Sequence, residues 1–252
     1  MNEREADRSV SQTVRAQLAL RNLILSGGLR SGERISELQA VETTGVSRTP
    51  VRMALVRLEE EGLLEVIPSG GFMVKAFSER DALDSIELRG TLEGLAARFA
   101  AERGVSARSL APLKETLAEL DELMRLDPIA VETFSSYVTL NARFHALLAE
   151  LSGSAPVIRQ IDRASALPFA SPSGFVMAQS ALTEARQHLI IGQDHHHIVV
   201  DAIENREGAR AEAVMREHAR LAVRNLQLAL RNRTSLDMLP ALALIRSPVT
   251  DI

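Results

Sequence analysis

The chain has 252 residues, 46% of them apolar and only 3% aromatic, with no Cys, no Trp and a formal net charge of -4. That is sequence enough for two domains with sizeable cores; it excludes disulfides and thiolate metal sites and fits poorly with aromatic stacking on single-stranded nucleic acid. No run approaches the ~20 apolar residues that span a bilayer, and MNEREADRSV has no apolar signal segment, so a soluble cytoplasmic protein is expected.

A helix is predicted over residues 9–26, with Val10, Val14, Leu18 and Leu25 as its apolar stripe and Gly27-Gly28 as its stop. After a short GERI segment, Ser36 caps a second helix, SELQAVETT, which runs into Gly45. The next stretch, GVSRTPVRMALVRLEEEGLLEV (residues 45–66), is the most informative of the chain. Gly45 suits a sharp turn because glycine alone visits positive φ cheaply. Ser47 is a good N-cap, and Pro50 falls in a first helical turn, where an amide has no intrahelical partner to lose. In the helix 47–61, Val51, Ala54, Leu55 and Leu58 recur at helical spacing. Arg48, Thr49 and Arg52 are left on the other side, at the helix N-terminus, where a recognition helix meets base edges and phosphates. Val66-Ile67 and Phe72-Met73-Val74 then read as two short strands around Pro68-Ser69-Gly70-Gly71, a hairpin pattern. Residues 1–75 are therefore predicted to be a winged helix-turn-helix that binds duplex DNA. Ten basic and ten acidic residues balance over residues 1–78, so binding must rest on the local field of grouped arginines rather than on net charge.

After a linker at 76–78 the pattern is helical. Helices are predicted at about 79–102, 106–125, 128–151, 154–166, 174–191, 193–205 and 207–231, with Pro112, Pro128, Pro156 and Pro172 at or near helix starts and PFASPSG (168–174) as the clearest loop. The fold class is thus mostly α: a winged head with a small β-hairpin and an all-α bundle over 79–231. In the tail, 232–252, LPALALI is expected to dock on the bundle and the end to be mobile.

Histidine is scarce and uneven, at 145, 188, 195, 196, 197 and 218. Asn141 and His145 stand four apart, so both leave one helix face, with Tyr137 a turn earlier. His145, His196 and His218 lie on three predicted helices and can converge only inside the bundle. Such a set suits a divalent ion, Zn²⁺ first, with Ni²⁺ or Mn²⁺ as alternatives. Spacing alone equally allows hydrogen-bonded core histidines, and HHH could be an exposed turn. Read from the residues alone, Arg89 pairs with Glu93 at i+4 on the surface. Asn225 lies two turns beyond His218. Glu59, Glu60 and Glu61 are read as solvated residues at a helix C-terminus.

GVSRTPVRMALVRLEEEGL, NARFH, HHIVVDAI and MREH together resemble the GntR superfamily of bacterial transcription regulators, in its FadR-like branch with an FCD effector domain, over about residues 10–231. The resemblance implies groove reading by Arg48, Thr49 and Arg52, with Ser47 near the backbone and Gly70 allowing close approach of the wing. Positions 67, 69 and 70 are commonly basic in relatives but are Ile67, Ser69 and Gly70 here. It further implies metal ligation by Asn141 (where many relatives place Asp), His145, His196 and His218, and an effector pocket with Arg89, Tyr137 and Asn225. His188, His195 and His197 are left as surface, capping or supporting residues. IELRGTLEGLAARFAAERG, SSYVTLNARFH and HARLAVRNL are similar to vanillate-responsive repressors. The implied protein is no enzyme but a homodimeric repressor on a palindromic operator, released by a small organic acid such as vanillate. The alternatives are a metal-dependent hydrolase-like enzyme with a DNA-binding head, and an architectural DNA binder with an inert bundle.

Overall fold

The computed structural model describes residues 3–125, 131–167, 169–172, 183–231 and 240–245. They fall into two compact units, Met1–Ala82 with Pro240–Ile252, and Leu83–Leu239.

The first unit contains α1 (Glu3–Leu25), β1 (Arg34–Ile35), α2 (Glu37–Thr44), α3 (Arg48–Glu60), β2 (Leu64–Val66) and β3 (Phe72–Val74). Helix α2 begins with a full capping box: the Ser36 hydroxyl accepts from the Gln39 amide while the Gln39 side chain accepts from the Ser36 amide. This satisfies two amides that lack intrahelical partners. Gly45 ends the helix in the left-handed region, φ 64°, returning its N–H to Val41. Helix α3 then buries Pro50, Val51, Ala54, Leu55 and Leu58 against α1.

The α1 stripe differs from the predicted one. Its buried residues are Thr13, Ala16, Leu20 and Ile24, whereas Val14 and Leu18 are 40% and 48% exposed and Leu25 is half-buried; the Val10 side chain lies outside the described residues. The buried face is offset from the predicted stripe and mixes the small Thr13 and Ala16 with Leu20 and Ile24. Glu61 is likewise more than a solvated end residue. It accepts from Gln17 Nε2 at 2.6 Å and pairs with Arg21, tying the end of α3 to α1.

The sheet is antiparallel in the order β1-β3-β2, with Ile35 and Val66 both facing Phe72 in register. The predicted two-strand wing thus gains a third strand from the GERI segment. Its first strand starts at Leu64, and Ile67 falls in the turn, where Gly70 and Gly71 take φ 91° and 88°. The LPALALI segment departs from expectation too. Its 3₁₀ turn, Pro240–Leu244, belongs to the first unit and not to the bundle. The rest of the tail, 232–239 and 246–252, is outside the described residues.

The second unit comprises most of α4 (Glu79–Arg103), then α5 (Ala107–Met124), α6 (Val131–Leu151), α7 (Ala155–Ala166), α8 (Thr183–Glu204) and α9 (Gly208–Arg231), and no strand occurs among its described residues. Leu113, Leu117 and Leu120 of α5 pack with Phe144 and Leu148 of α6, Val199 and Ile203 of α8 and Met215 of α9. Helices α4 and α9 touch through glycine: a Cβ built on Gly90 would lie 2.4 Å from Ala219 Cβ, and one on Gly94 would lie 2.8 Å from Arg216 Cγ. Arg98 to Glu212, 2.8 Å, and Arg216 to Glu87, 3.3 Å, flank that contact.

Two predictions fail here. The break at residue 192 does not exist, since α8 is continuous. Gly192 is a packing glycine, its missing Cβ facing Leu221 Cδ1 at 3.4 Å and His218 Cε1 at 3.6 Å. His196 accordingly sits in mid-helix and does not open one. Pro112 is also well inside α5. Pro128 and the loop positions 168, 173 and 174 lie outside the described residues. No described helix is long and apolar enough to cross a membrane.

Candidate functional site

On the first unit, Ser47 occupies the N-cap position of α3 with extended dihedrals but makes no side-chain capping bond. Ser47, Arg48, Thr49 and Arg52 are all exposed at the helix start, opposite the buried apolar face. Arg52 keeps a loose pair with Glu37, Nε to Oε1 3.6 Å, while 72% exposed. Gly70 is exposed at the tip of the wing turn. A helix N-terminus offering exposed guanidinium groups and peptide N–H groups is suited to phosphate and base contacts.

In the second unit, His145 of α6, His196 of α8 and His218 of α9 each offer a ring nitrogen, and these nitrogens lie within 4.8 Å of one another. The ring centroids of His196 and His218 are 4.5 Å apart, and His145 is 5.6 and 5.2 Å from them. The surroundings fix which nitrogen is bare. Gln193 Nε2 donates to Asp121 Oδ1 at 2.7 Å and to the Leu117 carbonyl at 3.2 Å, so its Oε1 must accept from His196 Nδ1 at 3.1 Å. His145 Nδ1 donates to a carboxylate oxygen, Glu93 Oε1, at 2.9 Å. His145 Nε2, His196 Nε2 and His218 Nδ1 are then buried with no hydrogen-bond partner among the described residues. Buried polar atoms are nearly always paired, and three converging imidazole lone pairs are the donor set of a borderline divalent cation. The chain fits a metal in this position.

The electrostatics agree with neutral ligands. Burial, reinforced by the neighbouring rings, holds His196 and His218 well below the ordinary histidine range. Burial alone would raise Glu93, but the Arg89 guanidinium and His145 outweigh it and hold that carboxyl at about 2. Arg89 and Glu93 do pair at i+4 as predicted, Nη1 to Oε2 2.6 Å, but in the interior, at 2% and 1% exposure, and not on the surface.

Beside the histidines is a small concavity, with about 30 Å³ of free space, walled by Arg89, Tyr137, Asn141, His188, His218 and Asn225 with Leu189 and Leu221. Asn141, one turn before His145, is buried and its Nδ2 reaches the Pro172 carbonyl at 3.4 Å. Burial pushes the Tyr137 phenol up, so it stays neutral. Arg89 Nε is buried without a partner among the described residues. All seven bundle residues singled out from sequence therefore lie in this one region except that His145 and His196 sit behind the wall.

Three supporting residues were not assigned from sequence, and a fourth, His188, was left as surface, capping or supporting. Glu93 was seen only as a surface partner of Arg89. His188, which donates from Nδ1 to Asn225 Oδ1 at 2.5 Å, stands eight residues before His196, on the same helical face. That signal was hidden by the supposed break at Gly192. Gln193 is visible at i-3 from His196, whereas Asp121, on α5, leaves no local signature. His195 is half-buried with its ring 6.1 Å from His218, and His197 is exposed and bonded to Asp121 at 2.9 Å.

Comparison with known proteins matches residues 12–74 to the bacterial regulatory proteins of the gntR family and residues 84–221 to the FCD domain. The chain is a GntR-family protein with an FCD domain. It is 31% identical over 133 residues to the HTH-type transcriptional regulator YdhC of Bacillus subtilis, covering 53% of this chain and 57% of that one. It is 32% identical over 139 residues to the Nta operon transcriptional regulator of Aminobacter aminovorans, covering 55% and 63%. The matches thus span less than two-thirds of the length of these curated relatives. The fold is shared with Escherichia coli McbR/YncC, at TM-score 0.59 and 23% identity over 84% of this chain and 97% of that one. The gntR family is one of bacterial regulatory proteins, and both curated relatives are named as transcriptional regulators.

Proposed function

We propose that this GntR-family protein is a cytoplasmic, ligand-responsive transcription regulator, acting as a repressor. In this reading Arg48, Thr49 and Arg52 read bases in the major groove, while Ser47 and Gly70 approach the backbone. A homodimer sets two such helices on a palindromic operator, because a two-fold protein reads a two-fold site. His145, His196 and His218, with Asn141 as oxygen donor, hold a divalent cation, Zn²⁺ first and Ni²⁺ or Mn²⁺ otherwise. When bound, that ion supplies a positive charge at the cavity wall. Arg89 offers its free edge to the carboxylate of a small organic acid, with Tyr137, His188 and Asn225 around the remainder. Vanillate is the first candidate. Such a ligand can change operator affinity only by binding one arrangement of the protein better than another.

The observation that carries this reading is the cavity whose wall holds the buried Arg89 beside His218 of the histidine cluster, in the same chain as a helix N-terminus with exposed Arg48, Thr49 and Arg52. The test is metal analysis of the full-length protein followed by a thermal-shift screen of carboxylic acids, vanillate included, on wild type, Arg89→Ala and His196→Ala. Loss of metal from His196→Ala and of the acid-induced shift from Arg89→Ala is expected. If neither substitution alters any ligand-induced shift, the pocket assignment is wrong.

A further inference from the structure

Glu93 holds two different parts of the site. Its Oε2 accepts from Arg89 Nη1 at 2.6 Å, and its Oε1 accepts from His145 Nδ1 at 2.9 Å. It is 1% exposed, on the turn of α4 that follows Arg89. Helix α4 is held against α9, which carries His218, by the side-chain-free surface of Gly90 and Gly94. A buried ion pair is a weak device for stability alone, since well-packed apolar residues often serve as well. The geometry points instead to position and coupling.

We infer that Glu93 is a positioning residue that links anion binding at Arg89 to cation binding at His145. Because an ionised carboxylate only accepts, His145 must donate from Nδ1 and keep its lone pair on Nε2. That is the nitrogen left bare beside His196 and His218. The same carboxylate fixes the Arg89 fork through Nη1, leaving Nε for an incoming anion. A cation on His145 strengthens the Nδ1–H donor and draws the negative charge of Glu93 toward the imidazole. The hold on Arg89 is thereby weakened, and its guanidinium becomes a better partner for an external carboxylate. By linkage, an acid at Arg89 tightens the cation to the same degree. Asp121 acts on His196 only through Gln193, so it has no corresponding tie to the anion side. This inference rests on the metal reading above but adds a residue and a coupling to it.

The test uses full-length protein and Zn²⁺ alone. Glu93→Gln is close to isosteric, yet it replaces one of the two accepting oxygens by an NH₂ that faces a donor. A 10–100-fold loss of Zn²⁺ affinity is expected, as for other residues that orient a metal ligand, measured by competition with a chromophoric chelator. Arg89→Gln should also change Zn²⁺ affinity although Arg89 is no ligand, and the two effects should fail to add in the double variant. Two-bond ¹H–¹⁵N spectra of the metal-free wild type should show His145 fixed as the Nδ1–H tautomer. A Glu93→Gln protein that melts lower but keeps wild-type Zn²⁺ affinity would reduce Glu93 to a structural ion pair and overturn the proposal, as would strict additivity or a His145 in the Nε2–H tautomer. If wild type takes up no Zn²⁺, Ni²⁺ or Mn²⁺, the metal reading and the coupling built on it both fail, and the tautomer spectrum alone decides whether Glu93 positions His145.

Discussion

The backbone amide of Phe77 donates to the carbonyl of Leu244 at 2.9 Å, and Phe77 pairs with Ile245 in a parallel bridge. The last described segment of the chain is thereby built into the same unit as α3. Leu242, Leu244 and Phe77 are all buried, at 2%, 1% and 7% exposure. Leu244→Ala should destabilise this unit by roughly 2–5 kcal/mol, the usual cost of emptying a core leucine site. Hydrogen exchange at the amides of α1 and β3 would report it. Unchanged protection there, in this variant and in a chain ending at residue 239, would show that the segment is ornamental to the head.

Arg52 should separate binding from folding. Its exposed pair with Glu37 is of the kind worth ~0–1 kcal/mol, so Arg52→Ala should leave the unfolding midpoint nearly unchanged. A lost base contact costs about 1–3 kcal/mol, and fluorescence anisotropy on a selected DNA site should show a matching fall in affinity. Glu37→Gln, which removes the competing carboxylate, should tighten the complex. Equal affinity of all three proteins would place the DNA contacts elsewhere.

Gly90→Ala is the sharpest test of the bundle. Alanine is the better helix former by about 1 kcal/mol, but its Cβ would lie 2.4 Å from Ala219 Cβ. Overpacking typically costs ~1–3 kcal/mol, so a net loss of stability is expected, with recovery in the Gly90→Ala, Ala219→Gly double variant. A stabilised single variant would mean that α4 and α9 are not in close contact.

In metal-free protein, His196 and His218 stay neutral below the pH at which an unfolded histidine takes up its proton. Their folded values lie below the ordinary value of about 6.5, so the unfolded state binds more protons as pH falls. The stability they contribute is complete above about pH 6.5 and is lost progressively below it, each by up to about 1.4 kcal/mol per pH unit. Glu93, held at about 2 against an ordinary 4.5, has the same sign in a lower window: its contribution is present above pH 4.5 and disappears as pH falls toward 2. Urea titrations in chelator between pH 7.5 and 4 should therefore show stability falling once the pH drops below about 6.5. A flat profile from pH 7 to 5 would contradict buried neutral imidazoles.

The head was legible because its signals are local. Gly45, the Ser36 cap, Pro50 and the Val51, Ala54, Leu55, Leu58 face are each set by backbone conformation or helical period within a few residues. The α1 stripe and the third strand were not, because which face is buried and whether GERI pairs depend on partners far along the chain. In the bundle, Gly192 shows the same limit. A helix-interior glycine and a helix-ending glycine look alike until the neighbour that needs the space, here His218, is in place.

By itself the sequence determined the order of elements, the family, the exposed Arg48, Thr49 and Arg52 edge, and the identities of the three histidines, since residue type, period and recognisable motif are all written along the chain. Only the tertiary structure decided that Arg89 pairs inward, that Glu93 serves Arg89 and His145 together, that Gln193 and Asp121 orient His196, and that residues 240–245 join the head. Those facts are matters of which side chains share a desolvated interior. Hydrogen-bond direction and burial are properties of the packed neighbourhood, and no spacing along one helix encodes them.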